Sequence, residues 1–203
     1  QGIGQAKTSG LVVERSAEIG EPNFSTAGTK PELLGEFDLP KSVVLKSWNS
    51  IIIQGPNSHA KLCYDRIIGC TLNFRALRQF LIKDAIASGA DVWTNTQAEN
   101  LLVENKKIIG LECNQLGKKI TARASIIVDA TGIEGKFSTQ QGLRNNKKTC
   151  LGIGYEQLMT NLNLNNEGNT VYIGFGSTFA PAGYSWIFPT AKNEAKVGVG
   201  WSP

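Results

Sequence analysis

The feature that most constrains this chain is a nine-residue segment, residues 181–189, in which aromatic side chains alternate between two prolines. Side chains of an extended strand alternate between its two faces, so Tyr184, Trp186 and Phe188 are predicted to project to one side. Three large rings on one face form a broad apolar wall with polar tips. Such a wall can line a pocket for a long hydrocarbon, but periodicity alone favours an ordinary core strand.

Composition indicates a globular protein and argues against several classes of partner. The chain has 203 residues, 41% hydrophobic and 19% charged, with a formal net charge of +4. Its Lys and Arg residues are scattered, which predicts no nucleic-acid partner. Four cysteines without a Cys-x-x-Cys pair and a single histidine, His59, predict no metal site and no disulfide framework, as expected for a cytoplasmic protein. We find no run of the roughly 18 apolar residues that a bilayer-spanning helix needs.

Local patterns predict an α/β fold followed by a second sheet. The clearest helix covers residues 73–89, with Asn73 as N-cap and Gly89 at the C′ position. A short strand is predicted at residues 11–13, and a three-stranded meander between residues 99 and 124. Residues 125–129 are predicted to form a buried parallel strand that ends in Asp129. The remaining strands are predicted at residues 43–64, 91–94, 151–158, 170–175, 184–188 and 196–201.

Glu14 follows the first predicted strand, in the setting of the acidic residue that binds the adenosine ribose in dinucleotide folds. A solvent-exposed ion-pair partner is an equally good interpretation of such a residue. No Gly-x-Gly-x-x-Gly loop precedes it at the usual spacing, and Gly2-Ile3-Gly4 comes too late in the chain to be one. The chain also lacks an initiator Met and stops directly after a strand-like run. We therefore predict that it is the central part of a longer protein.

The pattern Pro-x-x-Tyr-x-Trp-x-Phe-Pro at residues 181–189 resembles the signature of the geranylgeranyl reductase family of flavoproteins. The similarity extends from about Leu11 to the end of the chain. It implies a fold of the p-hydroxybenzoate hydroxylase type with FAD as cofactor. It also implies that Tyr184, Trp186 and Phe188 contact a prenyl chain. We take Tyr184 as the candidate proton donor, because its hydroxyl would be placed near the alkene.

The same resemblance implies a set of FAD contacts. The segment from Glu14-Arg15 to Gly28 is similar to the family's loop over the flavin, with Ser25 where Cys is usual and Thr26 where Ala is usual. This departure argues against a thiol role and indicates a divergent subgroup. Arg75 resembles the family's pyrophosphate-binding arginine, and residues 128–132 its Asp-Ala-Thr-Gly turn. The implied cofactor-binding residues are Glu14, Arg15, Ser25, Thr26, Gly28, Arg75, Ala98, Asp129 and Gly132.

The resemblance thus predicts two domains and a reductase activity. Residues 1–42 and 65–140 would form part of a Rossmann-like FAD-binding domain that includes the β-meander. Residues 43–64 and 141–203 would form an antiparallel-sheet substrate domain. The implied reaction saturates double bonds in geranylgeranyl chains of archaeal-type ether lipids or of the chlorophyll side chain. NAD(P)H or ferredoxin would supply electrons, and a cytoplasmic enzyme would contact the membrane peripherally. The alternatives are an FAD-dependent aromatic monooxygenase or halogenase on the same fold, or a non-catalytic fragment.

Overall fold

The computed structural model describes residues 9–23, 25–144, 152–164 and 168–202. Gly2, Gly4, Phe24 and Cys150, which entered the sequence interpretation, lie outside these ranges, as does Leu151 at the start of a predicted strand. The helices of the described residues are α1 (Glu32–Glu36), α2 (Phe74–Ala87) and α3 (Lys136–Gln140), with a 3₁₀ turn at Lys41–Val43. The strands are β1 (Leu11–Val13), β2 (Gly28–Thr29), β3 (Val44–Trp48), β4 (Ser50–Gln54), β5 (His59–Cys63), β6 (Gly69–Leu72), β7 (Asp91–Trp93), β8 (Thr96–Glu104), β9 (Lys107–Gln115), β10 (Lys118–Arg123), β11 (Ile153–Met159), β12 (Thr170–Phe175), β13 (Gly183–Ala191) and β14 (Glu194–Trp201).

The chain divides into two compact units, each built from two separate stretches of sequence. Residues 1–21 and 79–149 form the first unit, and residues 22–78 and 150–203 form the second. The sequence interpretation assigned residues 22–42 and 65–78 to the other part. They belong to the second unit, in which β2 and β3 each pair with β6 in one antiparallel sheet. Residues 141–144, assigned to the substrate domain, belong to the first unit. The functional roles predicted for the two parts stay a prediction.

The first unit contains a parallel strand pair and an antiparallel meander. β1 pairs with β7 in parallel, and β8, β9 and β10 form the predicted three-stranded meander. The prediction of a buried strand at residues 125–129 is wrong. Those residues form no strand, and the side chains of Ile126 and Val128 are 80% and 83% exposed. The described residues place no strand beside this segment, so its backbone has no ladder to join.

The second unit contains the sheet that carries the aromatic segment. Its six strands are ordered β11-β14-β13-β12-β4-β5. All neighbours are antiparallel except β12 and β4, which are parallel, so the predicted antiparallel sheet is in fact mixed. The core of this unit includes the fully buried side chains of Val43, Cys70 and Val171.

The predicted helix is confirmed as α2. The Asn73 side chain accepts a hydrogen bond from the Ala76 N–H at 3.0 Å, and this bond satisfies one of the free amides of the first turn. Gly89 adopts a φ of +95° just after the helix, a conformation that a residue without Cβ reaches at little cost. Among the helices that the structure describes, none is long and apolar enough to cross a membrane.

Candidate functional site: an aromatic cavity in the second unit

The aromatic segment forms strand β13, as its alternation predicted. Tyr184 and Trp186 have ring centroids 5.3 Å apart, and Tyr184 also contacts Phe175 of β12 at 6.1 Å. Phe188 meets Trp48 of β3 edge to face, with centroids 6.0 Å apart and planes at 82°. Tyr184, Trp186 and Phe188, named here the aromatic wall, therefore continue into neighbouring strands through ring contacts.

Glycines on the neighbouring strands allow the indole of Trp186 to lie close against the sheet. A Cβ at Gly198 of β14 would come within 2.3 Å of the Trp186 ring, and one at Gly200 within 3.4 Å. A Cβ at Gly154 of β11 would lie 3.8 Å from the same ring. Gly198 is thus a site where a side chain would compete with Trp186 for space, whereas a Cβ at Gly200 or Gly154 would lie in van der Waals contact with the ring.

A cavity of about 730 Å³ lies against the aromatic wall, within the size range of small-molecule sites. Its lining includes Tyr184, Trp186 and Phe188, together with Ser25, Thr26, Gly28, Thr29 and Lys30. Trp48 and Ile173 add further apolar surface. The loop of residues 25–29, named here the 25–29 loop, and the aromatic wall therefore line a single cavity of the second unit.

The 25–29 loop is held in a constrained conformation. Ala27 has a φ of 49°, in the left-handed region that an L side chain adopts at a cost. Its carbonyl accepts the Leu72 N–H at 3.0 Å, and its own N–H donates to the Ser25 hydroxyl at 3.1 Å. A Cβ at Gly28 would come within 2.6 Å of the Phe188 ring, so the loop approaches the wall as closely as glycine permits.

Two charged residues in this region were missed by the sequence interpretation as site residues. One carboxylate oxygen of Glu156, Oε2, accepts hydrogen bonds from the Trp186 indole N–H at 2.8 Å and from the Thr26 hydroxyl. Lys196 is buried, and its ammonium donates to the Ser25 carbonyl. Burial lowers the pKa of Lys196, while the charge of Glu156 acts in the opposite direction.

The sequence indicates a role for these two residues only once the pairing of β11, β13 and β14 is known. Glu156 lies two residues after Gly154 on β11, and Lys196 lies two residues before Gly198 on β14, so each is at the same alternate position as the glycine. That places them on the face of the aromatic wall once the strand order is known. The order of the strands depends on tertiary structure and cannot be read from a local sequence pattern.

Glu14, Arg15 and Ala98 lie in the first unit. Glu14 follows β1, and its Oε1 accepts the Ser16 N–H at 2.7 Å. Arg15 is exposed beside it. Ala98 lies in β8, where its carbonyl accepts a hydrogen bond from the Lys136 ammonium at 3.3 Å. The structure thus places Glu14 and Arg15 at a strand end and Ala98 within the meander.

Asp129 and Gly132 lie in the loop that leads to α3. The Asp129 carboxylate accepts the Thr131 hydroxyl at 2.7 Å, the Thr131 N–H at 3.1 Å and the Ser138 N–H at 2.7 Å. The bond from the Thr131 hydroxyl, followed by the others, holds the pKa of Asp129 well below its usual range. Gly132 has a φ of +88°, which supports the tight turn.

The remaining predicted residues belong to the second unit. Arg75 lies in the first turn of α2, and Ser25, Thr26 and Gly28 lie on the 25–29 loop. No cluster of His, Cys, Asp and Glu suited to a metal occurs among the described residues. The Cys70 thiol, on the strand next to the loop, is buried, and burial raises its pKa.

Solved structures define the class to which this fold belongs. A geranylgeranyl bacteriochlorophyll reductase-like protein from Thermoplasma acidophilum matches with a TM-score of 0.85 and 27% identity, covering 96% of this chain and 50% of that one. The flavin-dependent halogenase CmlS matches with a TM-score of 0.66 and 16% identity, covering 95% of this chain and 37% of that one. The chain therefore has the α/β fold that flavin-dependent reductase-like and halogenase proteins share.

Sequence comparisons match this chain to geranylgeranyl reductases. The family model of the geranylgeranyl reductase catalytic domain matches residues 151–203. The digeranylgeranylglycerophospholipid reductase of Methanocella arvoryzae is 31% identical over 204 residues, which are 94% of this chain and 50% of the relative. The one from Haloferax volcanii is 30% identical over 87% of this chain and 43% of its own length. The resemblance to the geranylgeranyl reductase family is confirmed, and the chain spans about half the length of these relatives.

Proposed function

We propose that the protein containing this chain reduces carbon–carbon double bonds in geranylgeranyl chains of isoprenoid lipids, with FAD as its cofactor. The observation that carries this proposal is the cavity of about 730 Å³ between the aromatic wall and the 25–29 loop. Its predominantly apolar surface, with the aromatic wall as its largest part, suits a hydrocarbon chain. The names of the relatives support the choice of a digeranylgeranyl glycerophospholipid as substrate class.

The donors and acceptors of the predicted cofactor residues fit FAD chemically. Glu14 offers a carboxylate whose Oε1 is oriented by the Ser16 N–H, which suits the hydroxyls of a ribose. Arg75, at the start of a helix, supplies the charged donors that a pyrophosphate accepts. We assign the remaining FAD contacts to the predicted residues Arg15, Ser25, Thr26, Gly28, Ala98, Asp129 and Gly132.

The chemistry divides between cofactor and protein. Reduced FAD, when bound, supplies a hydride to one carbon of the alkene. The second carbon needs a proton, which we assign to the Tyr184 hydroxyl because this residue lines the cavity. Tyr184 is 47% exposed, so its phenolate can recover a proton from solvent. Trp186 and Phe188, as parts of the aromatic wall, contact the prenyl chain and exclude water from it.

Two further features of the proposal concern partners. The electron donor is NAD(P)H or ferredoxin, since the flavin must be reduced again after each turnover. A substrate with geranylgeranyl chains resides in a membrane, so we propose peripheral contact with the bilayer. Flotation of the full-length protein with vesicles of an archaeal-type ether lipid tests this contact.

A comparison of two tryptophan variants tests the function. In the full-length, FAD-loaded protein, Trp186→Leu should lower kcat/KM for a digeranylgeranyl lipid about tenfold or more, because about 1.4 kcal/mol or more of apolar contact is lost. Trp201→Leu is the matched control, since Trp201 alternates with Gly198 and Gly200 on β14 and so belongs to the opposite face of the sheet. Saturated product is quantified by mass spectrometry. Equal activity of the two variants contradicts the assigned cavity, and a halogenated or hydroxylated aromatic product in place of a saturated lipid contradicts the reaction.

A further inference from the structure

Glu156 connects the aromatic wall to the 25–29 loop through a single atom. Its Oε2 accepts the indole N–H of Trp186 at 2.8 Å and also the hydroxyl of Thr26. Trp186 belongs to the wall and Thr26 to the 25–29 loop, and all three residues line the cavity. Hydrogen bonds to an ionised acceptor are shorter and stronger than neutral ones. The carboxylate therefore fixes the wall and the loop relative to each other.

Two other contacts hold the same loop on the same face of the sheet. The buried ammonium of Lys196 donates to the Ser25 carbonyl, one residue before Thr26. Gly28 packs against the Phe188 ring so closely that a Cβ would lie 2.6 Å from it. Three residues of the loop thus contact the sheet: Ser25 contacts β14, Thr26 contacts β11 and Gly28 contacts β13. A loop fixed at several points defines a gap of constant width.

We propose that Glu156 is a positioning residue that, by holding Trp186 and Thr26 together, sets the width of the gap between the aromatic wall and the 25–29 loop and so selects the thickness of the hydrocarbon chain that enters. The inference rests on the proposed function. A planar trisubstituted alkene is thinner than the saturated, methyl-branched chain formed by its reduction. A gap of fixed width therefore favours the unsaturated substrate over the saturated product.

The test uses conservative variants in the full-length, FAD-loaded protein. Glu156→Gln keeps the side-chain size but removes the charge, and Thr26→Val removes only the donor on the loop. Glu194→Gln and Thr190→Val are matched controls, because Thr190 donates to Glu194 at 2.6 Å at the β13–β14 turn and neither residue lines the cavity. The measured quantity is the ratio of Ki for the saturated lipid to KM for the geranylgeranyl lipid.

We expect Glu156→Gln and Thr26→Val each to lower this ratio about tenfold, since a pocket discriminates differences of about one methylene by roughly 10- to 200-fold. The FAD content of each variant is determined from its flavin absorbance, because Thr26 is also an assigned FAD contact, and kcat is expressed per bound FAD. A fall in the ratio that exceeds any fall in kcat per bound FAD indicates selection of the hydrocarbon chain rather than loss of the cofactor. The double variant should lower the ratio no further than either single variant, as expected for residues that act through one contact.

A spectroscopic readout checks the contact independently of activity. In protein labelled with 5-fluorotryptophan, the ¹⁹F resonance of Trp186, assigned with Trp186→Phe, should shift in Glu156→Gln and stay in place in Glu194→Gln. A ratio and a resonance equal to those of the Glu194→Gln control overturn the inference while wild-type reduction still supports the function. If the wild-type protein reduces no prenyl chain, the proposed function fails and the inference fails with it. If Glu156→Gln does not fold, Thr26→Val decides, because it leaves the Glu156 carboxylate in place.

Discussion

At the scale of single residues, the cavity depends on positions where the absence of a side chain is the functional property. Gly198, Gly200 and Gly154 leave room for the indole of Trp186, and Gly28 leaves room for Phe188. Because these glycines adopt φ values outside the left-handed region, their role is close approach rather than backbone freedom. Substitution by alanine therefore tests packing alone.

Gly198→Ala should displace the Trp186 ring. The new Cβ would lie 2.3 Å from two ring atoms, and overpacking of this kind costs about 1–3 kcal/mol of the free energy of unfolding. Urea unfolding measures this loss, and KM for the geranylgeranyl lipid should rise with it. Gly168→Ala is the control, since a Cβ there meets nothing within 4 Å. Equal stability of the two variants would show that the indole of Trp186 does not pack against Gly198.

Ala27→Gly should act in the opposite direction. Ala27 has a φ of 49°, and a left-handed backbone costs an L-residue about 1–2 kcal/mol. Glycine avoids this cost, but the greater conformational entropy of its unfolded state offsets part of the gain. We therefore expect the free energy of unfolding to rise by about 0.5–1 kcal/mol. Differential scanning calorimetry of wild type and variant measures it. A lower Tm for Ala27→Gly would mean that the loop does not hold this conformation.

At the scale of secondary-structure elements, local patterns predicted what local contacts decide. The alternating aromatics predicted β13, and Asn73 with Gly89 predicted the ends of α2. The strand predicted at residues 125–129 was wrong, because an apolar run becomes a strand only beside another strand. Strand propensity is a property of the segment itself, whereas strand pairing depends on which other strands of the molecule lie beside it.

The charged part of the cavity could not be predicted from the sequence for the same reason. Thr26 and Glu156 are 130 residues apart in the chain, and Ser25 and Lys196 are 171 residues apart. No spacing rule links positions at such distances. A lysine within an apolar strand and a glutamate beside glycines have ordinary surface interpretations until the strand order brings them under the 25–29 loop.

The buried ammonium on β14 makes a pH-dependent prediction. Burial lowers the pKa of Lys196 in the folded state, so over the window between that lowered pKa and the unfolded value of about 10.5 the unfolded state binds more protons. Stability from this group therefore rises with pH across that window, by less than about 1.4 kcal/mol per pH unit. Lys196→Met removes the titration, so the stability of wild type minus that of the variant should increase from pH 7 to pH 10.

Urea unfolding at several pH values in this range measures that difference. The raised thiol pKa values of Cys70 and Cys113 act in the opposite direction near pH 9, but both thiols are present in the two proteins and cancel. A difference that stays constant or falls with pH would contradict a desolvated Lys196. Lys192→Met, at an exposed position near the β13–β14 turn, is the control.

At the scale of the whole molecule, the chain alternates between its two units. Residues 1–21, 22–78, 79–149 and 150–203 belong to the first, second, first and second unit in turn. The predicted FAD contacts are distributed over both units, whereas the aromatic wall, the 25–29 loop, Glu156 and Lys196 all belong to the second. The cavity is thus a property of the second unit alone.

The central claim is that reduced FAD in this protein transfers its electrons to a prenyl double bond. The most direct test is a single turnover of the full-length, FAD-loaded protein, photoreduced without oxygen and mixed with a digeranylgeranyl lipid. We predict that the oxidised-flavin absorbance returns with the lipid alone, and that saturated product appears in proportion to the flavin. Flavin that stays reduced with the lipid and reoxidises only when oxygen is admitted would contradict the account and favour a monooxygenase or halogenase.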